Sequence, residues 1–431
     1  MTTNSGHRSR ILIGTLLVLA GLAAFLTATR TASAGNTSGP DVTVIYLDGP
    51  DNNGVSGGIR GYSIGTTSCN VGTAPVNWCD NGGGCGGGTT DEDHPVIAQN
   101  LYRVKDGRMT QIGMSWLKHG FLSTNSPDGA CGSCTGPPLG GSQLGVGCTD
   151  TYWAGLNGSR PLGKRSEVNA STGEFPFPYT NVSPSGTEQW VRVAETDVNP
   201  ALNAGAKYFA EGQYVTADDA VAGNGLNNAS YGEVAVSGAN FDLSLTSGTI
   251  REKTALYGWQ VLDPTVEIAN ADVPSSTPVE RFEVARKVTG PKIGTWHYEY
   301  IIRNMNSDRS AQAFTVTFPG TTTVANVGTH QVNHHSGEPY AIDAWTPATT
   351  STSVSWSTVP FATNANANAL RWGTAFSFWF DANVGPGGLT HTIALFKPGS
   401  PSTFNFLFAG SEVFSDDFES GDTSSWTLEV P

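Results

Sequence analysis

Apolar and polar residues alternate along most of this chain, and a 3.6-residue apolar period is almost absent. Such alternation puts successive side chains on opposite faces of a strand. DVTVIYLDG, from Asp41 to Gly49, predicts a first strand. NLYRV and MTQIGMSWL flank KDGR, which predicts a hairpin with Asp106-Gly107 as its turn. In the second arm, Ile112, Met114 and Trp116 share one face, and Leu117, His119 and Phe121 share the other. Residues 127–190 are rich in Gly and Pro and predict irregular loops. Residues 199–228 are the one stretch that predicts short helices, capped by Asp197 or Asn199 and by Asp218-Asp219.

From Tyr231 the alternation becomes denser. GEVAVSGANFDLSLTS, VERFEVARKV, TWHYEYIIRNM, AQAFTVTFP, TSVSWSTV, RWGTAFSFWFDA and LTHTIALFK follow one another, separated by turn residues. About seven strands at this spacing predict an antiparallel immunoglobulin-like β-sandwich. The fold class expected is therefore mainly β, the sandwich being preceded by a disulfide-stapled, loop-rich β region. The expected divisions are 1–34, 35–230, 231–410 and an acidic tail at 411–431, the last a solvated and frayed end.

Residues 1–34 are set apart by pattern. Arg8 and Arg10 precede ILIGTLLVLAGLAAFL, and Ala32 and Ala34 fit a small-residue cleavage site. This order is that of a secretory signal peptide, and the apolar run is short for a membrane anchor. No later apolar run is long enough to span a membrane, so a secreted, extracellular or cell-surface location is expected. The six cysteines, Cys69, Cys79, Cys85, Cys131, Cys134 and Cys148, agree with an oxidising compartment. Closure of the shortest loops predicts Cys79–Cys85, Cys131–Cys134 and Cys69–Cys148. Zinc held by the Cys131/Cys134 pair together with Cys79 and Cys85 is the rival reading. The formal charge of −14 repels phosphate backbones and argues against nucleic acid as a partner.

Three stretches carry a resemblance: GIRGYSIGTTSCNVG, the hairpin region continuing through CGSC and LGVGCTDTYWAGLNGS, and WHYEYIIRNMNSDRS with ALRWGTAFSFWFDAN. Together they resemble a group of secreted proteins of environmental bacteria to which no activity is assigned. The resemblance implies export and a single unit over most of the chain, and it carries over no catalytic residue.

Candidate chemistry is sparse. Gly54-Val-Ser56-Gly-Gly58 matches GxSxG, but no helix follows to build a nucleophile elbow, so a chance match is expected. THQVNHHSGEPY is the densest histidine cluster. On a strand His330 and His334 share a face and His335 points away unless the chain bends at Ser336-Gly337. Bent, the three imidazoles with Glu338 suit zinc or copper in a secreted hydrolase or oxidase. Unbent, they are a polar edge loop, which is the reading preferred here. Asp91-Glu92-Asp93 offers oxygen ligands for calcium but lacks EF-hand spacing. His94 and His119 are expected to be structural and not to converge, with His119 at the sheet surface. Trp345, Trp356, Trp372 and Trp379 are either glycan-stacking rings or core. The function expected is a binding or structural role at the cell surface or in a matrix, on glycans or envelope polymers, with no cofactor. The metal-dependent enzyme is the alternative.

Overall fold

Three large antiparallel sheets, stacked as layers, and a two-stranded one are built from these strands in the computed structural model. It describes residues 37–78 and 94–408, together with Met1. Beyond Met1, the leader-like segment lies outside the described residues, as do Cys79, Cys85, the Asp91-Glu92-Asp93 run and the acidic tail. Among the described residues no helix is long and apolar enough to cross a membrane.

The first layer is a twelve-stranded sheet reaching from Val42–Ser56 to Asp242–Leu245. The predicted hairpin forms at its centre: Val96–Lys105 pairs with Arg108–Met114, and Asp106 and Gly107 both adopt positive φ. The second arm breaks at Ser115-Trp116, and Leu117–His119 is a separate short strand against Val96 and Ile97. The division expected at residue 230 falls inside Ala229–Ser237, a strand of this sheet.

The sandwich is made by the other two layers. The middle sheet orders Glu267–Asp272, Arg281–Lys292, Thr295–Asn304, Ala375–Ala382 and Val324–Gln331. The outer sheet orders Thr346–Thr349, Ser353–Ser357, Ala311–Thr317, Thr390–Leu395 and Thr403–Phe406. The alternation along WHYEYIIRN shows how the layers join. Tyr298, Tyr300 and Ile302 pack with Phe314, Trp356, Phe378 and Phe380 in the sandwich core. Ile301, one step out of phase, packs with Tyr102, Met109 and Phe209 of the first sheet. Both faces of the middle sheet are thus apolar, and three of the four tryptophans considered for glycan stacking, Trp345, Trp356 and Trp372, are core.

Two expectations are corrected. Residues 199–228 are not a helical patch. Lys207–Val215 is a strand buried on both faces, which erases its alternation. The helix that does form there, Ala217–Ala222, is capped by Thr216, whose hydroxyl accepts from the Asp219 N–H. The cysteine pairing is also different: Cys69 bonds Cys131, and Cys134 bonds Cys148. Cys69 lies at the end of one strand and Cys148 at the start of its antiparallel neighbour, with Cys69 opposite Thr149. The Cys131-Gly-Ser-Cys134 loop crosses their ends and gives one sulfur to each. Loop length alone favours the shortest ring, but the sheet register decides which sulfurs meet. Among the described residues no cysteine is free, so Cys131 and Cys134 are not zinc thiolates.

Candidate functional site

The edge of the middle sheet carries the histidine cluster. Val324–Gln331 pairs with Ala375–Ala382, and the register slips between Ala325 and Gly328, where Asn326 has positive φ. The slip seats Gly328 against Trp379: a Cβ there would lie 2.2 Å from the indole. Trp379 also carries the Arg108 guanidinium, 3.4 Å from the ring centroid. His330 follows opposite Ser377, whose hydroxyl donates to the Met109 carbonyl of the first sheet. This side of the strand consequently looks onto the first sheet, and His330 looks with it.

Two clefts open between the layers, and His330 lines both. One, of about 200 Å³, is bordered by Ile59, Met114, Arg192 and Asp197 and by the His330–His335 segment. The other, of about 300 Å³, is bordered by Arg103, Lys105, Arg108, Thr110 and Trp379. The Asp197 carboxylate is taken by Arg103, at 2.9 Å. Arg108 forks onto Glu299, with both bonds at 2.7 Å. Arg192 differs: its buried Nε has no hydrogen-bond partner, and none of the ion pairs among the described residues includes it. The buried His330 Nδ1, Arg103 Nε and Thr110 Oγ1 also lack partners. Buried polar atoms without partners cost about 1–3 kcal/mol each, so four around adjoining clefts need an explanation.

His330, His334 and His335 do not gather at one point. The chain does bend where Ser336-Gly337 allows it, with Gly337 at positive φ and the Glu338 N–H on the His335 carbonyl. His334 and His335 are nevertheless spent on protein partners. His334 Nε2 meets Asn368 Oδ1 at 3.0 Å, and His335 Nε2 donates to the Trp190 carbonyl at 3.2 Å. Glu338 accepts the Arg165 and Ser166 N–H groups. Among the described residues no three His, Cys, Asp or Glu side chains gather as a metal-holding group. Burial holds His334 down to about 4 and His335 to about 3, and it lowers His330 as well. All three imidazoles are therefore neutral near pH 7, and the positive charge of the clefts comes from guanidinium and ammonium groups.

His94 and His119 do converge, against expectation. His94 Nε2 lies 2.9 Å from His119 Nδ1, and both residues are buried. The GEFPFPYT loop closes over them: Tyr179 stacks on His119 at 3.5 Å and Phe175 meets both rings edge-on. Gly163 lies on the other side, where a Cβ would come within 2.2 Å of His119 Nε2. Burial and the neighbouring His94 push His119 well below the ordinary histidine range. The ring is enclosed by aromatic side chains and is not at the sheet surface as expected. Ser56 sits at the tip of the Val42–Ser56/Ile59–Asn70 hairpin, opposite Ile59, with no helix behind it. GxSxG is a chance match there.

Sequence reasoning missed Arg192. VRVAE is a short alternating strand in which Val191 and Val193 point into the first sheet's core and Arg192 points away. The alternation was legible, but the facing wall contributed by His330 lies far away in sequence. No family model and no curated protein matches the chain. Among solved structures, a serine-rich repeat adhesion glycoprotein of Streptococcus agalactiae aligns over 88% of this chain and 99% of its own, at 9% identity and a TM-score of 0.19. The N-terminal domain of an adhesin of Streptococcus gordonii aligns over 88% and 97%, at 10% identity and a TM-score of 0.17. At those scores the alignments establish neither a shared fold nor a shared role.

Proposed function

We propose that this chain is an extracellular binding protein that takes the carboxylate of an acidic glycan into the inter-layer cleft at His330. The observation that carries the reading is Arg192. It is a guanidinium without an ion pair in a chain of net charge −14, beside an imidazole nitrogen without a partner. A guanidinium matches a carboxylate bidentately, and the neutral His330 Nδ1–H tautomer adds a donor. Arg103, Lys105 and Arg108, with Asp106 among them, line the adjoining cleft. The cleft walls Ile59 and Met114 are apolar, as the faces of sugar rings require. Two disulfides and the leader-like N-terminal segment support work outside the cytoplasm.

The test is binding to polyuronates and to neutral glucans by calorimetry, at low and high salt. Binding to polyuronate alone, weakened by salt, is expected. Arg192→Ala should weaken it by about 10–100-fold, the loss of one hydrogen-bonded charge. Arg192→Lys should recover only part of it, since an ammonium cannot fork. Equal binding of neutral and acidic polymers, or no change in Arg192→Ala, overturns the reading.

A further inference from the structure

We propose that the buried locus between Asp41 and Asp219 is a calcium site that ties the N-terminal segment to the Ala217–Asn228 loop. Asp41 and Asp219 are both completely buried. They come from opposite ends of the first layer: Asp41 precedes its first strand, and Asp219 lies in the Ala217–Ala222 helix. Their side-chain partners are all neutral. Asp41 accepts from the Thr37 hydroxyl and from Asn227 Nδ2, and Asp219 accepts from Asn228 Nδ2 and from the Val42 N–H. The charges that act on Asp219 are themselves negative, those of Asp41 and Asp218. Two carboxylates buried together with no cation form an arrangement that proteins avoid, because removing an ion from water costs several kcal/mol.

A second observation points to what is bound. Asn228 is 2% exposed, and its Oδ1 has no hydrogen-bond partner. Asn227 Oδ1 is buried and partnerless in the same way. Two orphan amide oxygens thus sit on the residues that touch the two carboxylates, Asn227 on Asp41 and Asn228 on Asp219. Rotating either amide by half a turn would aim its oxygen at a carboxylate, which is repulsive unless a cation lies between them. The donor set is entirely oxygen, mixing carboxylate with amide. That set suits a hard cation of flexible coordination, and calcium takes six to eight such ligands. Magnesium keeps several waters, and a locus this buried gives them little room. The loop is already fitted to the segment: Asn224 Nδ2 donates to the Ser38 and Pro40 carbonyls, and the Thr43 hydroxyl donates to the Asn227 carbonyl. Affinity in the range of extracellular calcium modules, about 10⁻⁴–10⁻³ M, is expected.

The experiment uses the full chain, stripped with EDTA and dialysed at about pH 8. Its melting temperature is then measured with calcium, magnesium or sodium chloride at matched ionic strength. Calcium should raise it by about 2–4 °C or more at saturating concentration, and magnesium by much less. Asp219→Asn and Asn228→Ala should each abolish the rise. Without calcium, Asp219→Asn should melt no lower than the wild type, because it removes the buried charge that calcium offsets. A wild type indifferent to calcium at pH 8 overturns the site, even if neither variant folds. So does a calcium response that both variants retain. A wild type whose melting falls from pH 6 to 8 and ignores calcium assigns the locus to a shared proton instead. Arg192→Ala should leave the calcium response intact, which separates this site from the glycan cleft.

Discussion

His391 has no exposed surface, and its ring is enclosed by Phe406, Phe408 and Tyr300, with Nε2 3.1 Å from the tyrosine hydroxyl. Burial drives its pKa down to about 3. An unfolded histidine titrates near 6.5, so below that pH the unfolded chain binds a proton that the folded chain refuses. Stability is therefore present above about pH 6.5 and is lost as the pH falls toward the folded value. The loss approaches about 1.4 kcal/mol per pH unit for one such group. His334 and His335 act in the same sense. His297 acts in the opposite one: Glu299 and Asp381 hold its two nitrogens and raise its pKa, so its contribution is full below 6.5 and fades as the pH rises. We expect His391→Leu to flatten the fall in melting temperature between pH 6 and 4.5. An unchanged slope in thermal melts across that range would refute this. The row His391, Ile393, Leu395 is buried while its neighbours are half-exposed, so this histidine could be read as core from alternation alone.

At the scale of elements, two small pieces hold disproportionate structure. The slipped register of Val324–Gln331 depends on Gly328, because Trp379 occupies the space of its Cβ. Gly328→Ala should cost about 1–3 kcal/mol by overpacking. It should also disturb the His330 cleft, so denaturant titration and polyuronate binding should both report the damage. Stability loss with intact binding would show that the cleft does not depend on this register. The other piece is the Cys131–Cys134 loop, which bridges two strand ends. Peptide mapping without reduction should recover Cys69–Cys131 and Cys134–Cys148, and a Cys131–Cys134 fragment would contradict the fold. Replacing both Cys134 and Cys148 by Ser opens a loop with a separation of 14 residues, at a cost of about 3 kcal/mol in the chain-entropy account.

For the whole molecule, the decisive contact is between layers. Arg303 of the middle sheet and Glu211 of the first sheet are fully buried and 2.9 Å apart. Arg303 also donates to Gln213, and the Glu211 carboxylate accepts from Asn100, Tyr102 and the Ala255 N–H. Removing one partner leaves a buried charge uncompensated, so Glu211→Ala should cost about 3–5 kcal/mol. A Glu211→Gln/Arg303→Met double variant should recover part of that, because it leaves no lone ion. With the layers cross-tied in this way, calorimetry on the wild type should show one unfolding transition for sheet and sandwich together. Two resolved transitions would mean that this pair does not couple the layers.

The sequence by itself determined the β class, the central hairpin and the aromatic strands after Tyr231. Each is written in local periods and turn residues, and those act over a few positions. It also limited what the cysteines do, but not which of them meet. The tertiary structure decided the pairing of Cys131 and Cys134, the meeting of His94 with His119 and the dispersal of the histidine triad onto Asn368 and Trp190. It also brought Arg192 into the same cleft as His330, Arg303 onto Glu211 and Asp41 beside Asp219. These encounters join residues from 25 to 178 positions apart or depend on strand register. A local pattern states that a side chain faces inward or outward. Only the packing of one sheet on another states what it will face, and that choice is made by the summed burial of whole layers.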